Sequence, residues 1–359
     1  MNNHRKITQK AVNLAWSWLT IWCCVVWSPK VFGQYSLEYS VNGSVVTLIG
    51  YLGTPVNVTI PSGVTIIGGS AFGNCTNLTS ITIPDTVTSI DANAFYWCTN
   101  LISVTVPDSV TSIGDEAFDG CFSLTNATIG SGLTSIGQDV FANCTSLTSI
   151  NVSSSNSAYS SVNGVLFDES QTILIRCPSG LSGSYAIPDS VISIGDEAFF
   201  QCMELTSVSI GNSVTSIGET AFVGCASLTG VAIPNSVISI GFEAFYKCGS
   251  LTNVAIGNGI STIEDFAFED CTNLTAVYFL GNAPTAYSPF SGDHATIYYF
   301  SGTTGWTSPF DGLPAVEIIP VSPTNPCRND KQPATESAIY RKPQFPIYPR
   351  ISHRPLAPH

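Results

Sequence analysis

The sequence predicts an α/β repeat solenoid: a right-handed coil with a parallel β-sheet on one face, short strand, 3₁₀ or helical turns on the other, and β-rich caps. Three columns of residues in step predict it. Phenylalanine falls at Phe72, Phe95, Phe118 and Phe141 and again at Phe199, Phe222, Phe245 and Phe268, every step 23 residues except one of 58. Leucine keeps the same beat from Leu78 to Leu274, and so do eight cysteines, Cys75, Cys98, Cys121, Cys144, Cys202, Cys225, Cys248 and Cys271. A fixed period of this length marks stacked units, each too small to bury its own apolar face, that share one continuous core.

Residues 1–33 carry a basic start (His4, Arg5, Lys6, Lys10), an apolar run from Ala11 to Trp27, and Val31-Phe32-Gly33 at a plausible cleavage site. That order is the order of a secretory signal peptide. The rival, a retained anchor, would need an apolar run of about 20 residues to span a bilayer. Residues 34–58 alternate apolar and polar side chains around Asn42-Gly43, which predicts a hairpin capping the first coil.

The repeats occupy 59–281. Within a unit, Leu78-x-x-Ile81-x-Ile83 points alternate side chains inward and then meets Pro84, which cannot donate to a sheet ladder. A second extended piece follows at Val87-Thr88-Ser89-Ile90, and glycine then turns the chain in most units, as at Gly114 and Gly137. The Ala-Phe-x-x-Cys-x-x-Leu stretch has apolar residues three apart, the spacing of a helical or 3₁₀ turn. The long step of 58 residues places an inserted hairpin within 152–186, expected to project from one edge, with Asn163–Phe167 and Thr172–Ile175 as its two arms. Residues 282–320 read as a closing cap. Residues 321–359 lose all periodicity, are rich in proline and carry six basic residues against two acids, the composition of a disordered tail.

On these residues the unit resembles the BspA-like leucine-rich repeat. Its pattern of Leu-x-x-Ile-x-Ile-Pro followed by Val-x-x-Ile-Gly-x-x-Ala-Phe-x-x-Cys is matched from about Ile60 to Val277. The insertion and the segment from Val277 through Trp306 to Pro314 are also similar to features of that family. The resemblance implies a leucine-rich repeat coil, export or display at a cell surface, and adhesion-type binding.

Charge narrows the partners. Between Gln34 and Pro326 there are 23 acids and only Arg176 and Lys247 as bases, a formal charge of -21. Such a surface repels nucleic acid and anionic headgroups. No second apolar segment follows the leader, so no membrane span is expected in the mature chain.

Candidate chemistry is sparse. Thiols in a line, one per coil, do not converge as a zinc site requires. Export and close coils would permit disulfides, but equivalent side chains point the same way into the core, where free cysteine packs as a small hydrophobe. Cys177 and Cys327 lie off this column and take no assignment. Acidic pairs such as Asp115-Glu116, Asp196-Glu197 and Glu264-Asp265 repeat between coils, whereas a catalytic carboxylate pair needs one unique environment. They are expected to be solvated acids at the start of a short helix. His294 is the sole histidine outside the two ends and reads as a loop residue.

What remains for recognition is the outward face of the main sheet: Ser80 and Thr82, Ser103 and Thr105, Asn126 and Thr128, Ser149 and Asn151, Ser207 and Ser209, then Asn253 and Tyr278. This flat, neutral surface suits an extended extracellular protein or polysaccharide better than a small molecule. The reading is therefore a non-catalytic secreted or cell-surface scaffold with no cofactor and no metal. Its rival is a secreted carbohydrate-active enzyme on a β-solenoid.

Overall fold

A computed structural model describes residues 6–10 and 35–319. The rest of the leader and the tail, with Cys327, lie outside the described residues. The chain winds into a β-solenoid of about 11 turns. Each regular turn contributes one strand of three to five residues to a main ladder and one two-residue strand to a minor ladder. The 23-residue beat sets the register: Asn126 pairs with Ser103 and with Ser149, in parallel.

The expected helical turns are absent: among the described residues there is no helix, so the α/β class is corrected to an all-β coil. The cause is visible in the stretch from Glu116 to Cys121. The N–H groups of Glu116, Phe118 and Gly120 donate to Gln138, Val140 and Ala142 of the next coil, at 2.8, 2.9 and 3.0 Å. Those of Asp119 and Cys121 donate three residues back, to Glu116 and Phe118. Glu116 and Gly120 are also left-handed, with φ of 53° and 69°, as Asn93 and Trp97 are in the coil before. A left-handed residue every fourth position breaks a right-handed helix, and a helix would keep for itself the N–H groups that tie the coils together. Apolar spacing of three is thus met by a turn ladder running along the stack.

The acid pairs are corrected with it. Asp115 Oδ1 accepts the Gln138 N–H and Asp196 Oδ1 accepts the Glu219 N–H, both at 2.9 Å, so in these two pairs the first acid holds the next coil rather than a helix end. Glycine in the same corner answers a close approach. At Gly137 a Cβ would stand 2.5 Å from the Asp115 nitrogen.

Inside the coil the phenylalanines stack, with centroids 5.3, 5.0 and 5.6 Å apart from Phe72 to Phe141 and 4.6, 4.8 and 5.0 Å apart from Phe199 to Phe268. All eight column cysteines are buried and unpaired. In the regular coils the thiol reaches the phenylalanine carbonyl of the preceding turn, as from Cys121 to Phe95 at 3.3 Å and from Cys248 to Phe222 at 3.2 Å. The column therefore gives a second donor to a carbonyl that its own turn already uses.

The insertion does not project. Tyr159–Val162 and Val165–Asp168 pair antiparallel around Asn163-Gly164, and Val165–Asp168 then pairs with Ile173–Arg176, which joins the minor ladder. The hairpin crosses the interior as a partition. Leu166 packs into the core on the N-terminal side, while Val165 and Phe167 pack into the core on the C-terminal side. Alternation along a strand, which usually separates core from solvent, here separates two cores.

At the N-terminal end, Tyr35–Asn42 and Val45–Gly53 form an antiparallel hairpin whose second strand joins the minor ladder beside Ile66–Ile67. Lys6–Lys10, within the segment read as a leader, pairs antiparallel with Tyr35–Asn42. At the other end Thr296–Phe300 and Ala315–Ile318 continue the main ladder without the 23-residue beat.

Candidate functional site

The single parallel sheet expected on the main face is three sheets. Five strands from Asn57–Thr59 to Ser149–Val152 form the first, Gly183–Ala186 with Leu205–Ser209 the second, and five strands from Gly230–Ile233 to Ala315–Ile318 the third. The outward residues are divided accordingly. Ser207 and Ser209 belong to the two-stranded piece, and Asn253 and Tyr278 to the last sheet. Ser80, Thr82, Ser103, Thr105, Asn126, Thr128, Ser149 and Asn151 share the first.

Over that first sheet lies a groove of about 540 Å³. It brings together Thr82, Thr105, Thr128 and Asn151, the second outward position of four successive strands. The first outward positions, Ser80, Ser103, Asn126 and Ser149, stand outside it; Asn126 Nδ2 donates to Ser149 Oγ at 2.7 Å along the stack. The groove's floor is set where each strand ends. Pro84, Pro107 and Gly130 stop the strand one residue after the last inward side chain. Asp85, Asp108 and Ser153 then line one wall. Asp108 is exposed, and its carboxyl is held below the usual range because Oδ1 accepts the Ser131 N–H at 2.6 Å. No basic residue lines the groove. The alternation of the strands pointed to the threonine row; the acids were missed, although Pro84-Asp85 and Pro107-Asp108 recur at the repeat distance and mark the same corner.

Two other places hold unusual polar groups. Where the insertion meets the next regular coil, Arg176 is 7 % exposed, and its Nη1 donates to the Glu197 carbonyl at 2.8 Å and lies 3.7 Å from Glu197 Oε2. Burial, and then the neighbouring Asp139 carboxylate, push Glu197 up to about 8, against the opposing pull of Arg176. Cys177 sits here in the phenylalanine column: its N–H donates to Ala198 O at 2.6 Å, the bond that Phe222 makes to Ala244 O in a regular coil. Near the C-terminal end Asp293 stands where a column cysteine is due, three residues after Phe290, which stacks on Phe268 at 5.3 Å. Burial pushes its carboxyl up to about 7, with Asp270 and Glu269 adding repulsion and the Cys271 N–H acting the other way. His294 beside it is exposed.

Among the described residues, no group of three or more His, Cys, Asp or Glu side chains is placed to hold a metal ion, and no helix is long and apolar enough to cross a membrane.

Known proteins place this architecture. No curated protein sequence matches the chain. Among solved structures, the pneumococcal vaccine antigen PcpA aligns over 76% of this chain and 94% of its own, at 18% identity and a TM-score of 0.52, a likeness of fold. A leucine-rich repeat protein from Bacteroides ovatus aligns over 81% of this chain and 79% of its own at 22% identity and a TM-score of 0.48. A leucine rich cell surface protein from Faecalibacterium prausnitzii aligns over 71% and 96% at 25% identity and a TM-score of 0.36. The pattern of the BspA type leucine rich repeat region matches in six copies over residues 54–173 and 181–290. With well over half of its length matched, the chain belongs to the BspA-type leucine-rich repeat family.

Proposed function

We propose that this protein is a non-catalytic secreted or cell-surface scaffold that binds an extended extracellular protein or polysaccharide in the groove over its first sheet. The observation that carries the reading is the alignment of Thr82, Thr105, Thr128 and Asn151 across four strands, open to solvent in one concave strip. A row of hydroxyl and amide groups one strand spacing apart, about 4.8 Å, suits a polymer that crosses several coils. The groove runs across four strands, which suits contact along a length rather than enclosure of a small molecule. In this reading residues 1–33 are an export leader, 34–58 a cap, 59–281 the repeats with the partition at 152–186, 282–320 the closing turns, and 321–359 a basic appendage.

The paired acids support a non-catalytic role, since Asp115 and Asp196 are spent on backbone N–H groups of the next coil. The test is a glycan and matrix-protein array probed with the full chain and with Thr105→Lys/Thr128→Lys. Both positions are exposed, so the fold is expected to survive, and ligand signal to fall at least about tenfold. Undiminished binding by a folded variant would remove the groove from the reading.

A further inference from the structure

The side of the coil that carries the turn ladder holds one residue out of pattern. Two positions after each column phenylalanine the regular coils place a polar residue or glycine, as at Asn74, Asn143 and Gln201, but one coil places Trp97 there. Trp97 is 41 % exposed, yet its ring is held. A Cβ at Gly120, one coil on, would stand 2.7, 2.8 and 3.0 Å from the ring's Cδ1, Nε1 and Cγ. Three atoms of the five-membered ring at nearly one distance put the indole face-on over that glycine. Gly120 is left-handed, with φ of 69°, and the Trp97 N–H donates to the Asp119 carbonyl at 2.7 Å. Phe122 meets the indole nearly at right angles, at 77° and 5.4 Å between centroids. A large aromatic fixed in this way loses little freedom on binding, and tryptophan is among the residues that dominate interface energies.

Charge selects the ligand. Between Tyr35 and Ile175 the chain has ten acids and no basic residue. The turn on which the indole rests contributes Glu116 and Asp119 to that field, and Glu116 is exposed. A cation over an aromatic face is attracted by the ring quadrupole, with tryptophan the best ring and arginine the commonest cation. A guanidinium also stacks flat on the ring while its N–H groups stay available to carboxylates. The same side of the coil shows such a pairing within the chain: Lys247, at the position equivalent to Trp97, has its Nζ 4.7 Å over the ring of Tyr246. We propose that Trp97 anchors a second interaction site, on a different side of the coil from the groove, which takes an arginine side chain from the surface of a basic partner protein. The site goes beyond the groove and does not depend on it.

The experiment measures, by fluorescence anisotropy, the binding of labelled nona-arginine, nona-lysine and cellohexaose to the full chain. The variant is Trp97→Gln, a residue the fold already accepts at this position, since the Gln201 side chain lies over Gly224 as Trp97 lies over Gly120. Its melting temperature is expected to stay close to that of the unaltered chain. Nona-arginine should bind the variant at least about threefold more weakly, and nona-lysine should respond less. Tyr287→Ala, which removes an exposed aromatic on the other side of the partition, should change neither. Arginine binding that ignores Trp97→Gln, or an equal loss in Tyr287→Ala, would reduce the attraction to net charge and overturn the proposal. Equal dependence of both peptides on Trp97 would overturn the choice of arginine. Cellohexaose binding that is lost in Trp97→Gln, with nona-arginine unaffected, would make the ring a sugar platform instead. The groove is tested separately by Thr105→Lys/Thr128→Lys, so either site can fall while the other stands.

Discussion

The solenoid on the two sides of the partition is one core wearing two faces. From Phe72 to Phe141 and from Phe199 to Phe268 the rings stack at nearly the same spacing, the cysteines are equally buried, and the glycine corners are equally tight. The outward strand positions differ. Before the partition they carry Thr, Ser and Asn, and aspartates follow the strands at Asp85 and Asp108. Beyond it they begin with Ser207 and Ser209 and then pass through Gly230, Ala232 and Ala255 to Tyr278 and Tyr298, whose rings stack at 5.1 Å. Inward residues meet the same neighbour in the coils above and below, so a change in one coil disturbs three. Outward residues meet solvent and are free to diverge. Recognition is therefore to be sought where the two sides differ, and stability where they agree.

The largest expected effect breaks the agreement. Phe118→Ala and Phe245→Ala each empty a fully buried position in a ring stack, at a cost of about 3–5 kcal/mol. Because the partition divides the cores, hydrogen exchange should accelerate mainly in residues 35–152 for the first and in 187–300 for the second. Equal loss of protection on both sides in both variants would show that the partition transmits rather than isolates.

The next is a pH effect confined to the C-terminal side. Asp293 has its carboxyl raised to about 7 from an ordinary value near 3.8. Stability from this group is therefore highest below about pH 4, where folded and unfolded chains are both protonated. It falls as pH rises towards 7 and is flat above. Asp293→Asn should melt like the unaltered chain at pH 4 and be more stable at pH 8, by on the order of 3 kcal/mol. A stability difference that does not change between pH 4 and pH 8 would refute the assignment.

The smallest concerns the corners that both sides share. Gly137→Ala places a methyl against the Asp115 backbone of the preceding coil and should cost about 1–3 kcal/mol, whereas Gly50→Ala meets only the Glu38 side chain at 3.7 Å and should cost well under 1 kcal/mol. Thermal melts of the two variants side by side decide whether close approach is what glycine serves here.

The period was legible because it is written three times, in Phe, Leu and Cys, and a repeated column has one structural answer. The turn stretch was misread because apolar spacing of three fits both a short helix and a left-handed turn. What separates them is where each N–H goes, and the partner carbonyl lies about 22 residues away. The insertion was misplaced for a related reason. Val165, Leu166 and Phe167 are three consecutive apolar residues, which fits a strand buried on both faces, but nothing local says that each face belongs to a different core. Of the groove, the threonine row was readable from alternation. Asp85 and Asp108 recur at the repeat distance as well, but their place beside that row depends on the coil closing.

By itself the sequence determined the 23-residue coil, its inward residues, the two rows that face outward and the segregation of acid in the stack from base at the ends. These are properties of periodicity and composition, and each coil repeats them. Only the tertiary structure decided that the turns are not helical, that the insertion divides the core, and that four of the outward residues and two aspartates meet in one groove. Each of those depends on a contact between coils, between residues a full turn or more apart in the chain, and stacking alone brings them together.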